Sequence, residues 1–220
     1  MNQEQLDREA GAAVYTPRTL GIYDLVVHGF SNRFLWKVPT TRLVEFYNGL
    51  ISANHLDVGV GSGYFLEKCR FPMQPRLALM DLNRTCLQYA AQRVAKYRPN
   101  THQVDVFEPI DWEEKGFNSI CLGYLLHCLP GAMKDKAVVF DNLKPLLLAN
   151  GVLFGATILG EDQSPNWGAR RLMKIYNKKG VFSNMADNEA DLREILATRF
   201  ETYSVEVVGH VALFWAQGNK

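Results

Sequence analysis

The sequence predicts an α/β fold: a mostly parallel sheet with helices on both faces, ending in an antiparallel hairpin. Three observations carry this reading. From His55 onward, short apolar runs alternate with amphipathic ones. The first of these runs leads into alternating glycines, Gly59, Gly61 and Gly63. The last two runs, Thr202–Val208 and Val211–Ala216, are separated only by Gly209 and His210, a connection that permits only an antiparallel pair.

Taken in order, Met1 to Ala10 is polar and acid-containing, without the basic start and apolar run of a secretory signal. Residues 11–52 are rich in aromatics, among them Tyr15, Tyr23, Phe30, Trp36 and Tyr47, and are expected to form an N-terminal helical cap or lid. Residues 53–217 form the α/β core, and 1–220 make a single domain. The core strands are expected at His55–Val60, Leu77–Leu82, His102–Val106, Asn118–Gly123 and Val152–Leu159, each short, apolar and bounded by Gly, Asp or Pro. With the hairpin this makes a seven-stranded sheet. Helical spacing fills the gaps at Tyr64–Cys69, Arg84–Tyr97, Met133–Leu148, where Pro145 demands a kink or stop near Lys144, and Glu189–Thr198. A second covering region, Gly160–Asn184, contains Trp167 and Tyr176.

With 47% hydrophobic and 21% charged residues, the 220-residue chain has the balance of a globular protein able to bury a core without disulfides or metals. Its 24 Lys and Arg against 23 Asp and Glu leave a charge of +1, so no long-range field gathers a polyanion and nucleic acid is not the expected partner. Cys69, Cys86, Cys121 and Cys128 form no Cys-x-x-Cys pair and read as buried thiols of a reducing compartment, with no metal site. No apolar run reaches the roughly 18 residues of a membrane span. A cytoplasmic monomer or homodimer acting on a small molecule is the expectation.

The chemistry is concentrated in Leu56-Asp57-Val58-Gly59-Val60-Gly61-Ser62-Gly63-Tyr64. A strand running into alternating glycines lets backbone approach a ligand where a side chain would collide. A dinucleotide fingerprint needs a small third residue, and the spacing puts Tyr64 or Leu66 there instead. Asp57, two residues before the first glycine, completes Asp-x-Gly-x-Gly-x-Gly, which resembles motif I of class I S-adenosylmethionine (SAM)-dependent methyltransferases. The order of the later segments extends the resemblance over roughly Val14 to Ala216, toward small methyltransferases of type 12. It implies a Rossmann-like class I methyltransferase sheet and SAM as cofactor.

The resemblance also implies roles. Asp81, in Leu79-Met80-Asp81-Leu82-Asn83, would accept the ribose hydroxyls, with helix capping as the alternative and Asn83 the better cap. Asp105, followed by Val106, would face the adenine amino group or serve as a turn residue. The segment Leu122-Gly123-Tyr124-Leu125-Leu126-His127-Cys128-Leu129-Pro130 would lie under the sulfonium and face the substrate, with Leu122 and Tyr124 as cofactor contacts. His127 is either a structural histidine or a general base; His28 and Tyr23 are the other candidate bases, and Tyr15, Tyr23, Trp36 and Trp167 are candidate acceptor-side aromatics in the covering regions. Arg170-Arg171 and Lys178-Lys179 read as solvated helix charges, with contact to an anionic substrate as the alternative. A methyltransferase acting on a small apolar or aromatic metabolite, oxygen preferred, is the leading function; a methyltransferase fold with a non-methylating role is the alternative.

Overall fold

A computed structural model describes residues 31–160, 167–218 and 220. Seven strands form one sheet in the order β3-β2-β1-β4-β5-β7-β6. They are β1 (Asn54–Val58), β2 (Arg76–Asp81), β3 (Asn100–Gln103), β4 (Phe117–Gly123), β5 (Leu147–Ile158), β6 (Thr202–Val208) and β7 (Val211–Gln217). The first five run parallel, and β7 pairs antiparallel with both β5 and β6. Gly209 opens the hairpin turn at φ 62°, and its place beside the Trp36 carbonyl leaves no room for a Cβ.

The helices divide between the two faces. On one lie α1 (Thr40–Leu50), α2 (Tyr64–Lys68), α3 (Arg84–Arg93) and α5 (Trp167–Lys178), whose Leu43, Tyr47, Phe65, Leu87, Ala90 and Met173 meet Leu77, Leu79, Cys121 and Phe154 of the sheet. On the other, Val139 and Phe140 of α4 (Ala137–Leu143) and Leu192 and Leu196 of α6 (Glu189–Arg199) pack on Leu56, Val58, Met80 and Leu122. Strands buried on both faces favour near-continuous apolar sequence, which β2 has over Leu77–Met80; in β1 and β4 the buried polar His55 and Ser119 are paired with each other at 2.8 Å. Edge strand β3 is largely exposed and correspondingly polar.

Several boundaries differ from the sequence reading, among them the end of β1 at Val58, the end of α3 at Arg93 and the start of β5 at Leu147, and two of the differences have a plain local cause. Strand β3 ends at Gln103 instead of Val106, because Asp105 folds the chain into a turn, its carboxylate accepting the Phe107 N–H at 3.0 Å. The expected helix Met133–Leu148 is helical only over Ala137–Leu143; Pro145 sits in a 3-10 turn, and Leu147 already pairs with Phe117 in the sheet. None of the described helices is long and apolar enough to cross a membrane.

Lys136 and Asp187 lock the turn before α4 to the loop before α6. Both side chains are fully buried, with Nζ 2.6 Å from Oδ2, and Nζ also donates to the Ser183 carbonyl at 2.8 Å. Removing one member of such a pair leaves an uncompensated buried charge. Lys136→Met is expected to lose about 3–5 kcal/mol in urea unfolding, and Lys136→Met with Asp187→Leu to recover most of it. A single variant as stable as the parent would show that the pair does not lock the turn.

Candidate active site

The carboxyl ends of β1, β2 and β4 open into a cleft, the place where parallel α/β sheets bind ligands. Its floor is the turn after β1. Gly59, Gly61 and Gly63 all take left-handed φ, at 70°, 51° and 71°. A Cβ on Gly63 would press on Ala90 of α3 at 3.1 Å, so this glycine lets α3 pack against the loop. A Cβ on Gly61 would meet nothing within 4 Å; it would stand in the open cleft, in space that a bound molecule can use.

Three acids line this cleft. Asp57 comes from β1 and is 7% exposed; burial, reinforced by the charge of Asp81, pushes its pKa up to about 8. Asp81 ends β2 with one oxygen 2.8 Å from the Asn83 N–H and the other 3.4 Å from the Gly61 N–H, so it ties the glycine loop to the start of α3. Burial raises its pKa to about 6 against the lowering effect of those amides. Asn83, not Asp81, caps α3, accepting from the Thr85 and Cys86 N–H groups. Asp105 borders the cleft beside Val106 from its turn after β3, and Leu82 completes this side.

The opposite wall follows β4. Tyr124 adopts φ 58°, a left-handed conformation uncommon for an aromatic residue. It is fixed at both ends: its N–H donates to the Ala156 carbonyl at 2.8 Å and its hydroxyl to buried Asn32 at 3.0 Å. Leu125, Cys128, Leu129 and Pro130 continue the wall, and Tyr64 and Phe65 face it from α2.

Several residues expected at the site lie elsewhere. His127 is 1% exposed in the core; its Nδ1 accepts the Ile158 N–H at 3.4 Å and its ring sits edge-on to Phe182. Burial, with the charge of Lys136, lowers its pKa to about 3, and with Nδ1 occupied by a backbone amide the ring fits the structural one of its two readings. Leu122 is fully buried on the opposite face of the sheet. Trp36 is 1% exposed, packed on Phe182 with its carbonyl bonded to the His210 N–H, so it belongs to the core and not to a lid. Trp167 is 74% exposed beneath Arg171 and does not reach the cleft. Tyr15, Tyr23 and His28, with residues 11–30 of the expected lid, fall outside the described residues. Cleft residues that lie outside the motifs include Tyr47, Cys86, Val104 and Phe107, while Leu125, Cys128, Leu129 and Pro130 belong to the segment after β4. Only Tyr47 left a usable trace, its four-residue spacing from Leu43, which marks the buried face of α1.

Comparison with known proteins gives the class. The methyltransferase domain family matches residues 56–153, from β1 into β5. Demethylluteothin O-methyltransferase of Streptomyces thioluteus is 35% identical over 217 residues, covering 98% of this chain and 93% of that enzyme. Methyltransferase ctvB of Aspergillus terreus is 41% identical over 219 residues, covering 96% of this chain and 95% of its own. Among solved structures, the DhpI-SAM-HEP complex superimposes with a TM-score of 0.67 over 99% of both chains at 14% identity, a likeness of fold. The chain belongs to the methyltransferase domain family. It is a SAM-dependent methyltransferase with S-adenosylmethionine as its cofactor. The cleft suits that cofactor chemically: open space at Gly61 for close backbone approach, and carboxylates positioned to accept hydrogen bonds from a polar, cationic molecule.

The raised pKa of Asp57 makes stability depend on pH. The unfolded chain ionises this group near its ordinary value of 3.8, while the folded chain keeps the proton to about pH 8. Between those values the folded state binds more protons, so the contribution of Asp57 to stability falls as pH rises. Below the lower value both states are protonated and the penalty vanishes. Asp57→Asn, melted without ligand, is therefore expected to gain on the parent by on the order of 1 kcal/mol per pH unit between about pH 4.5 and 7.5. A gap that stays constant across this range would refute the assignment.

Proposed function

We propose that the chain methylates a small, largely apolar or aromatic molecule, with oxygen the favoured acceptor atom. The wall formed by Tyr64, Phe65, Leu125, Leu129 and Pro130 carries this reading: it is apolar, and no histidine, lysine or arginine lines the cleft among the described residues. Such a surface suits a flat or lipophilic acceptor, where a protein or polynucleotide would ask for a broad polar or basic one. The O-methylating relative from Streptomyces supports oxygen.

Displacement at a sulfonium needs the acceptor aligned behind the methyl group and water kept out, and a base only if the acceptor must lose a proton. An acidic hydroxyl, phenolic or enolic, makes the least demand on this cleft. His28 and Tyr23 are the candidate bases. On the cofactor side, Gly59, Gly61 and Gly63 let backbone approach the amino-acid end of SAM. Asp81 accepts the ribose hydroxyls beside Leu82 and Asn83, Asp105 and Val106 border the adenine, and Tyr124 lies toward the reacting centre.

Two measurements test this reading. Incubation with methyl-labelled SAM and separate panels of phenols, carboxylic acids, amines, protein and RNA is expected to place label on a phenolic or enolic oxygen; preferential labelling of protein or RNA would overturn the small-molecule reading. Asp81→Ala is expected to weaken SAM by about 10- to 100-fold in calorimetry, the loss of charge-assisted hydrogen bonds. Unchanged affinity in a folded variant would remove Asp81 from the cofactor site.

A further inference from the structure

Helix α5 carries Arg170, Arg171, Lys174 and Lys178, Lys179 follows it, and no acid falls between Trp167 and Lys179. With these cations set apart, the rest of a chain whose total charge is +1 is net acidic. Elsewhere on the surface arginines are matched to carboxylates: Arg42 to Glu206, Arg76 to Glu114 and Arg199 to Asp141. On α5, Arg171, Lys174 and Lys178 form no ion pair among the described residues.

The helix has two distinct sides. Ala169 and Met173 are buried, and Tyr176 packs on Phe182 with ring centroids 4.9 Å apart. Trp167, Arg171, Lys174 and Lys178, spaced by four, three and four residues, form the opposite stripe, and all are exposed. Trp167 is 74% exposed, with the Arg171 guanidinium 5.4 Å from its ring centroid, and Ile175 on the flank of the stripe is exposed as well. Water alone does not account for an exposed indole set among cations without carboxylate partners. The combination matches a surface that is anionic at its rim and apolar just beneath, as at the headgroup level of a bilayer, where tryptophan settles and lysine and arginine reach phosphates. An acidic protein would use the cations; a bilayer uses both the cations and the apolar side chains.

We propose that the exposed face of α5 is a docking surface for anionic lipid membranes, Arg171, Lys174 and Lys178 meeting headgroup phosphates while Trp167 enters the headgroup layer. The helix lies on the membrane and does not cross it. The loop after α5 backs the cleft wall, the Ser183 N–H donating to the His127 carbonyl at 2.8 Å and its hydroxyl to the Gly131 carbonyl at 3.4 Å, so the docked element adjoins the wall after β4. Under the proposed function a bilayer is also where an apolar acceptor collects, but docking does not depend on that reading and is measured without SAM or acceptor.

The full chain is cosedimented with vesicles of phosphatidylcholine alone and with vesicles that also contain phosphatidylglycerol. Binding is expected to the second and not to the first, and to weaken as salt is raised. Arg171→Gln, Lys174→Gln and Lys178→Gln are each expected to lower partitioning about fivefold, and the triple variant about a hundredfold. Trp167→Ala is expected to lower it about tenfold and to abolish the blue shift of tryptophan emission that anionic vesicles induce in the parent. Arg42→Gln, which removes a paired cation from another surface, should stay within about twofold of the parent. Equal affinity for both vesicles, no binding to the anionic ones, or a triple variant that binds like the parent would overturn the docking surface. So would retention on poly-glutamate by a parent that ignores the vesicles, which would mark the face for an acidic protein instead.

Discussion

The backbone between Val58 and Tyr64 turns through three left-handed glycines in five residues, and the cleft is built outward from that turn. Only so tight a path lets β1 stop at Val58 and α2 start at Tyr64 while α3 packs on Gly63. The Asp81 carboxylate is part of the same arrangement, bonded to the loop at Gly61 and to the chain at Asn83 as α3 begins. A side chain at any of the three glycines would strain the turn, and at Gly63 it would also push α3 away.

This geometry gathers polar groups where the fold alone gains nothing from them. Asp57, Cys69, Cys121 and Tyr47 sit together between β1, β4 and the helices above, each with its ionised form disfavoured by burial and by the neighbouring carboxylate. An apolar cluster of the same volume would be more stable. Such a concentration of desolvated groups beside a cleft is what binding sites have and structural cores avoid. Contrast His55, which is equally buried and has its pKa lowered to about 3, but bonds to Ser119 away from the cleft and serves the core.

Legibility followed the physics of each signal. The glycine turn and the hairpin could be read because their residue types are dictated by backbone geometry, and Asp57 and Asp81 because strand ends fix where a side chain emerges. The end of β3 was misplaced because Asp105 competes for the backbone with a local turn, a contest that apolar patterning does not register. Trp36 and Trp167 were misplaced for a different reason, and His127 took the structural one of its two readings. Aromatic composition says that a segment has something to pack against, but not whether that is a ligand, the core or solvent. Trp36 found Phe182, His127 found the Ile158 amide, and Trp167 remained outside. The spacing of Tyr47 from Leu43 marked it as buried, but its place in the cleft wall depends on α1 crossing the sheet above Gly123, a tertiary contact that local pattern does not register.

The wall after β4 shows how a reaction that needs little acid–base chemistry still depends on structure far from the reacting atoms. Tyr124 is held in an unfavourable conformation by bonds to Ala156 and Asn32. His127 anchors the following turn to β5 through Ile158 and, through its carbonyl, to Ser183. The Ser183 carbonyl accepts in turn from Lys136, whose buried partner Asp187 lies on the same loop. Asn184 closes the circuit by donating to the Ile158 carbonyl. Backside displacement is sensitive to small errors in the placement of the acceptor, and under the proposed function this network of bonds would be what holds the Leu125–Pro130 wall in place for it. Buried ion pairs and strained residues that weaken the fold locally are tolerated here because alignment, rather than proton transfer, is what methyl transfer demands of the protein.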